Sequence, residues 1–197
     1  MNDYHIRTSL KQKLAKQYAD DPHTAIIEEL GLRHGEARID LAVVNGYLHG
    51  YELKSDKDNL ERLPKQSRIY SLIFDRLTLV VSHRHTYSAL KIIPEWWGID
   101  MVEQGARGKI KFHHIRKVKN NPKLDAIAIL ELLWKNEAID FLDEIRTAKG
   151  VRSKKRLAIY ERIAAITDID LIRTKTRDCL RNRLNWRVDP QQMLSDD

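Results

Sequence analysis

Gly35-Glu36-Ala37-Arg38-Ile39-Asp40-Leu41-Ala42-Val43-Val44-Asn45-Gly46-Tyr47-Leu48-His49-Gly50-Tyr51-Glu52-Leu53-Lys54 is the stretch on which the reading of this chain turns. Two short apolar, β-branched runs flank Asn45-Gly46, a dipeptide suited to a tight turn, so the stretch predicts a β-hairpin. Alternate side chains of a strand share a face, which sends Glu52 and Lys54 one way and Tyr51 and Leu53 the other. Asp40 interrupts an otherwise apolar strand, where a charge is costly unless it is paired or binds a metal. Two carboxylates and a lysine meeting at the centre of a hairpin suit a Mg²⁺ site for phosphodiester chemistry. Mg²⁺ takes hard oxygen ligands and is usually held by one or two carboxylates plus substrate phosphates. Once bound, it polarises a phosphate and acidifies a bound water. A lysine beside it can orient or deprotonate that water, or stabilise developing negative charge. The bland alternative is a surface hairpin whose Glu and Lys form a solvated pair worth about 0–1 kcal/mol.

The segment that follows favours the first of these. Pro64-Lys65-Gln66-Ser67-Arg68-Ile69-Tyr70-Ser71-Leu72-Ile73-Phe74 predicts a helix with Pro64 in its first turn, where a missing N–H costs little. Gln66 and Tyr70, four residues apart, share one face of it. Leu77-Thr78-Leu79-Val80-Val81 then reads as a buried strand, so the order is hairpin, helix, strand.

At this point the chain resembles the PD-(D/E)XK nuclease superfamily, in particular its RecB-like branch with a Q-x-x-x-Y motif. The matching elements are Arg38-Ile39-Asp40, Glu52-Leu53-Lys54 and Gln66 with Tyr70. The stretch from Glu28 to Trp97 also looks like a small family of bacterial and phage proteins. It shares with them phrases such as Tyr51-Glu52-Leu53-Lys54-Ser55, Leu60-Glu61-Arg62-Leu63-Pro64 and Pro94-Glu95-Trp96-Trp97-Gly98-Ile99. The superfamily resemblance implies an α/β core with a mixed sheet flanked by helices. It further implies Asp40 and Glu52 as metal ligands, the backbone carbonyl of Leu53 as a third, and Lys54 as the catalytic lysine. Gln66 and Tyr70 would position the nucleic-acid strand. An upstream glutamate should complete the acidic cluster, and Glu29 is preferred to Glu28 because it opens the Glu-Leu-Gly-Leu phrase ahead of the Asp40 strand. The first helix carries no glutamate, which excludes a variant with its acid there.

The implied activity is Mg²⁺-dependent hydrolysis of DNA, with Mn²⁺ able to substitute. Two alternatives stay open: a nuclease-fold module that binds DNA or regulates a partner without cutting, and cleavage of RNA. A homodimer or a larger nucleic-acid-processing complex is compatible with either.

Composition bounds these readings. The 197 residues suffice for one ordinary domain and an accessory element, and 42% hydrophobic content for a core. No run approaches the ~18–20 apolar residues that span a membrane, nor does the N-terminus show a signal peptide's apolar stretch, so a cytoplasmic protein is expected. Cys179 is the single cysteine, which leaves no intrachain disulfide and no cysteine zinc site.

Positive charge is concentrated late in the chain. From Gly150 to Val188 there are 11 basic and 4 acidic residues, a surplus equal to the +7 of the whole chain. Such a footprint suits a polyanion, or else it solubilises a helical surface. Arg173, Arg177 and Arg181, spaced by four, would form one phosphate-contacting stripe.

The domain reading is a nuclease-like unit over 1–118, an all-α basic extension over 123–188 and a disordered tail over 189–197. A short helix is expected near Tyr87 to Ile93 after a His83-Arg84-His85 connection, and a hairpin around Gly105 to Gly108. Asn120-Asn121-Pro122 marks the boundary. One helical pattern runs from Leu124 to Ala148, with further helices at about 153–166 and 170–185, the last capped by Asp168 or Asp170. His83, His85, His113 and His114 lack zinc-site spacing. Trp96 and Trp97 read as core rather than base-stacking platforms, while Trp134 and Trp186 read as helix-packing residues.

Overall fold

The computed structural model describes residues 1–105 and 108–183. The turn residues Ala106 and Arg107, the tryptophan at Trp186, Arg187 and the 189–197 tail lie outside the described residues. Two compact units are present, Met1–Leu124 and the part from Asp125 onward.

The first unit carries α1 (Asp3–Gln17), β1 (Ala25–Leu32), β2 (Ala37–Val44), β3 (Leu48–Lys54), α2 (Leu63–Tyr70), β4 (Arg76–Ser82), α3 (His83–Leu90), β5 (Gly98–Gln104) and β6 (Ile110–Arg116). The strands form one sheet in the order β1-β2-β3-β4-β5-β6. β2 runs antiparallel to β1 and β3 on either side of it, β3, β4 and β5 run parallel, and β6 returns antiparallel to β5. This is the expected mixed sheet flanked by helices.

The sheet's core follows from spacing. Ile6, Leu10 and Leu14 recur every four residues on α1 and are buried against Leu41, Val43, Tyr51, Leu53, Val80 and Val102. Each of these α1 side chains contributes about 1.5–3 kcal/mol by leaving water. Gly50 on β3 shows how tightly the other face is filled. A Cβ there would lie 2.5 Å from Ile39, 2.8 Å from Leu77 and 2.9 Å from Phe74, so only glycine fits without movement.

Several boundaries differ from the sequence expectation. α2 stops at Tyr70, and Ser71 to Ile73 turn the chain towards Phe74. His83 to His85 open α3 instead of linking to it, because Ser82 stands extended at its N-cap. The first unit runs past 118 because its last residues are stitched back. Lys119 N–H donates to the Trp96 carbonyl at 2.9 Å, and Asn121 N–H to that of Asp75 at 2.8 Å. The Asn121 side-chain amide donates to the carbonyls of Ser71 (2.8 Å) and Phe74 (2.9 Å). Asn121 is a clamp, not a linker.

The second unit is helical: α4 (Ala126–Leu130), α5 (Lys135–Glu144), α6 (Arg156–Ile166) and α7 (Ile169–Asn182). The single helix expected over 124–148 is broken at Trp134, whose extended backbone starts α5 while its N–H donates to Glu137 at 2.7 Å. Asp168 caps α7 by accepting from the Asp170 N–H. No helix among the described residues is long and apolar enough to cross a membrane.

Candidate active site

The site stands where two strands part. β2 and β3 pair from Val44 opposite Leu48 to Leu41 opposite Tyr51 and no further. Asp40 and Glu52 are the next residues along. Leu53 N–H donates to Asp40 Oδ2 at 2.8 Å, so a carboxylate takes the place of the next ladder bond. A residue's N–H and C=O leave a strand on the same edge, which turns the Leu53 carbonyl into the same opening. β3 meanwhile stays paired to β4 as far as Lys54 opposite Val81, so the Glu52-Leu53-Lys54 backbone is held firmly on that side.

Glu52 is 2% exposed and surrounded by donors. Its Oε1 accepts from Lys54 Nζ at 2.6 Å and from Gln66 Nε2 at 2.7 Å. Oε2 lies 3.0 Å from the Tyr70 hydroxyl, which is also 2.7 Å from the Arg38 carbonyl. Gln66 Nε2 donates to that hydroxyl at 3.1 Å, closing the network. Burial still pushes the Glu52 carboxyl above its ordinary range, against the pull of Lys54, Tyr70 and Gln66.

Gln66 and Tyr70 share a helix face, as their spacing predicts, and both hydrogen-bond Glu52. Tyr70 is fully buried and stacks on Trp97 at 6.3 Å, which puts Trp97 in the core. Lys54 is buried as well.

Asp40 reaches a different partner set. Burial, and then the charge of Glu52, push its carboxyl up to about 7, against the Leu53 N–H and Arg7. Arg7 of α1 donates to Asp40 Oδ1 at 2.9 Å, to Glu29 at 2.8 Å and to Asp3 at 2.9 Å. Glu29 occupies a distorted point of β1: the register gives Glu28 opposite Leu41 and Leu30 opposite Ile39, with no Glu29–Asp40 pair. Its φ of 54° is left-handed, a conformation costing a non-glycine residue on the order of 1–2 kcal/mol. Glu28 is held elsewhere, by Lys11.

Glu29 rather than Glu28 therefore comes towards Asp40, but through a guanidinium and not as a third converging carboxylate. Among the described residues no group of three or more His, Cys, Asp or Glu is placed to hold a metal ion. Three bare carboxylates would repel one another, and Arg7 screens them. Arg7 and Asp3 were missed at the sequence level. Their only signal is position: Arg7 follows buried Ile6, and Asp3 precedes Arg7 by one helical turn.

The proposed phosphate stripe on α7 is largely paired within its own helix. Arg173 is bonded to Asp170, Arg181 to Asp178, and Arg177 to the Thr174 hydroxyl at 3.1 Å. His113 bonds Glu103 at 3.1 Å and His114 bonds Asp100 at 3.0 Å across β5 and β6, His83 is exposed on α3, and His85 is half-buried there.

Residues 1–191, nearly the whole chain, match the family described as bacteriophage P4 protein cII. The chain belongs to that family. Protein cII of Enterobacteria phage P4 is 32% identical over 120 residues, covering 60% of this chain and 45% of the phage protein. The match thus spans under half the length of that relative. Among solved structures, Pyrococcus furiosus SfsA in complex with Ca²⁺ superposes with a TM-score of 0.37 at 15% identity, over 59% of this chain and 65% of SfsA. A likeness that slight bears on neither fold nor site.

Proposed function

We propose that the first unit is a metal-dependent nuclease of the PD-(D/E)XK kind that hydrolyses DNA. The observation that carries this reading is the strand fork. There Asp40 accepts from the Leu53 N–H at 2.8 Å, the charge of Glu52 is felt at Asp40, and Lys54 lies 2.6 Å from Glu52. The donors fit a hard divalent cation: all are oxygens, and the burial and neighbouring Glu52 charge that raise the Asp40 carboxyl to about 7 are costs a bound cation would offset. Asp40, Glu52 and the Leu53 carbonyl would hold Mg²⁺ or Mn²⁺, with Glu29 as the outer acid. When bound, such a cation supplies Lewis-acid polarisation of a phosphate and a more acidic water.

The chain's own residues divide the remaining work. Lys54 Nζ, bonded to Glu52 Oε1, would hold the attacking water by hydrogen bond and assist its deprotonation. Gln66 and Tyr70 fix both oxygens of Glu52, so that the carboxylate does not reorganise during reaction. The strand-pairing of β3 keeps Lys54 and Glu52 in register. Arg173, Arg177 and Arg181 would attract the phosphate backbone and steer encounter.

One observation favours a second reading. Arg7 already neutralises Asp40 and Glu29, as it would in a module that binds DNA or regulates a partner without cutting. The two readings separate when labelled single-stranded, linear duplex, circular and branched DNAs, with an RNA control, are incubated with Mg²⁺ or Mn²⁺. The nuclease reading expects cleavage that EDTA stops and that Asp40→Ala abolishes. Binding of DNA with no cleavage under any metal supports the second reading. Full cleavage by Asp40→Ala protein removes the site assignment.

A further inference from the structure

We infer that Arg7 is the resident cation of this site, a latch whose guanidinium must leave Asp40 and Glu29 before a divalent cation can enter. The inference rests on the metal reading proposed above. Three carboxylates supplied by two different elements and by α1 itself, Glu29 of β1, Asp40 of β2 and Asp3, converge on this one guanidinium. A guanidinium is a fork of donors matched to carboxylates, and it carries a single fixed charge where the bare acids would otherwise repel.

Two features mark the pose as exchangeable. The Arg7 Nε is buried and has no hydrogen-bond acceptor, so the latched pose leaves a donor unmet. Glu29 meets Arg7 only through a left-handed backbone, so the acid side of the contact is also held off its relaxed conformation. Asp3 provides the resting place for the released side chain. It lies one helical turn before Arg7 on α1, with a side chain 41% exposed, and shares Nη2 with Asp40. On release the guanidinium keeps Asp3 while Asp40 and Glu29 turn to the incoming ion. The event is an exchange of one cation for another, so the acidic pair faces a cation both before and after it.

Mn²⁺ binding to the full chain, measured by isothermal titration calorimetry without nucleic acid, tests the latch independently of turnover. Arg7→Gln should bind Mn²⁺ at least about tenfold more tightly than the wild type. Arg7→Lys keeps the charge but loses the fork, and should fall between them. Lys11→Gln, which removes a nearby charge bonded to Glu28 and not to Asp40, should change affinity less than about twofold. Equal or weaker binding in both Arg7 variants overturns the latch and leaves the metal site standing. An increase of the same size in Lys11→Gln also overturns it, because general electrostatics would then suffice. Absence of Mn²⁺ binding in the wild type and every variant removes the metal reading itself, and the latch with it. If Arg7→Gln fails to fold, the Arg7→Lys comparison still decides.

Discussion

Buried charge at single residues sets the first expectations. Among the described residues Lys54 is the only cation bonded to Glu52, and both are nearly out of solvent. Lys54→Ala should therefore cost stability as well as activity, on the order of 3–5 kcal/mol, unless Glu52 takes up a proton in compensation. Urea unfolding of the purified variant checks this, and a midpoint equal to wild type would mean the pair is not buried in solution. Tyr70→Phe removes only the hydroxyl, so it should slow cleavage strongly while leaving DNA affinity unchanged; lost affinity would return Tyr70 to a strand-contacting role.

Asp40 gives a pH dependence. With its carboxyl raised to about 7, the folded protein binds a proton there that the unfolded chain has released above the ordinary carboxylate range. Its contribution to stability is complete in acid and is lost as pH rises towards and through 7. Metal-free wild type should thus lose stability relative to Asp40→Asn between about pH 4 and 7, by a few kcal/mol at most. Parallel stability curves for the two proteins would contradict the shift. Asp40, Glu52, Lys54 and the Gln66–Tyr70 pair could be singled out in the sequence because each grouping arises within one hairpin or one helical turn. Their roles were less legible: spacing shows which residues share a face, but not that Tyr70 is sealed beneath Glu52.

At the level of elements, the fork between β2 and β3 depends on what fills the sheet around it. Gly50→Ala would drive a methyl into Ile39, Leu77 and Phe74. These are side-chain ends that can shift, so overpacking should cost about 1–3 kcal/mol rather than prevent folding. A chemical-denaturation midpoint measures it, and a neutral result would show that this face repacks freely. The hairpin and α2 were readable because periods of two and of four announce themselves locally. The acid supplied by β1 depended on a choice between Glu28 and Glu29 that periodicity does not make. A left-handed residue opposite Asp40 reverses which neighbour faces the site. Arg7 was out of reach for a different reason. Its partners lie 22 and 33 residues away, and no pattern within α1 points to them.

On the scale of the whole molecule, the question is whether the basic second unit captures the polyanion. Reversing Arg173, Arg177 and Arg181 should weaken DNA binding about equally for all sequences. It should also flatten the salt dependence, whose slope is about −0.9 per phosphate contacted on duplex DNA. The ion pairs of Arg173 with Asp170 and Arg181 with Asp178 mean that the flattening should be smaller than three full contacts would give. Unchanged affinity and slope in a folded triple variant would assign these arginines to the helix surface alone. The charge surplus was plain from composition. Its partial cancellation was not, since that requires knowing which acids lie one turn away on α7. The first compact unit extends to Leu124 for a similar reason: Asn120-Asn121-Pro122 looks like a break in sequence, yet the Asn121 amide closes on two carbonyls some fifty residues upstream.

The docking of α1 also has a consequence for the order of synthesis. The helix leaves the ribosome before the strands it packs on, so Ile6, Leu10 and Leu14 can bury themselves only after Leu41, Val43, Tyr51 and Leu53 have followed. Until then the nascent chain carries an apolar stripe and an arginine whose partners on β1 and β2 have not yet been made. Closing that long loop comes late and is slow relative to the hairpin. The acidic fork is therefore assembled before its guarding arginine arrives, and a chaperone or a divalent cation meeting the chain in that interval would encounter the site open.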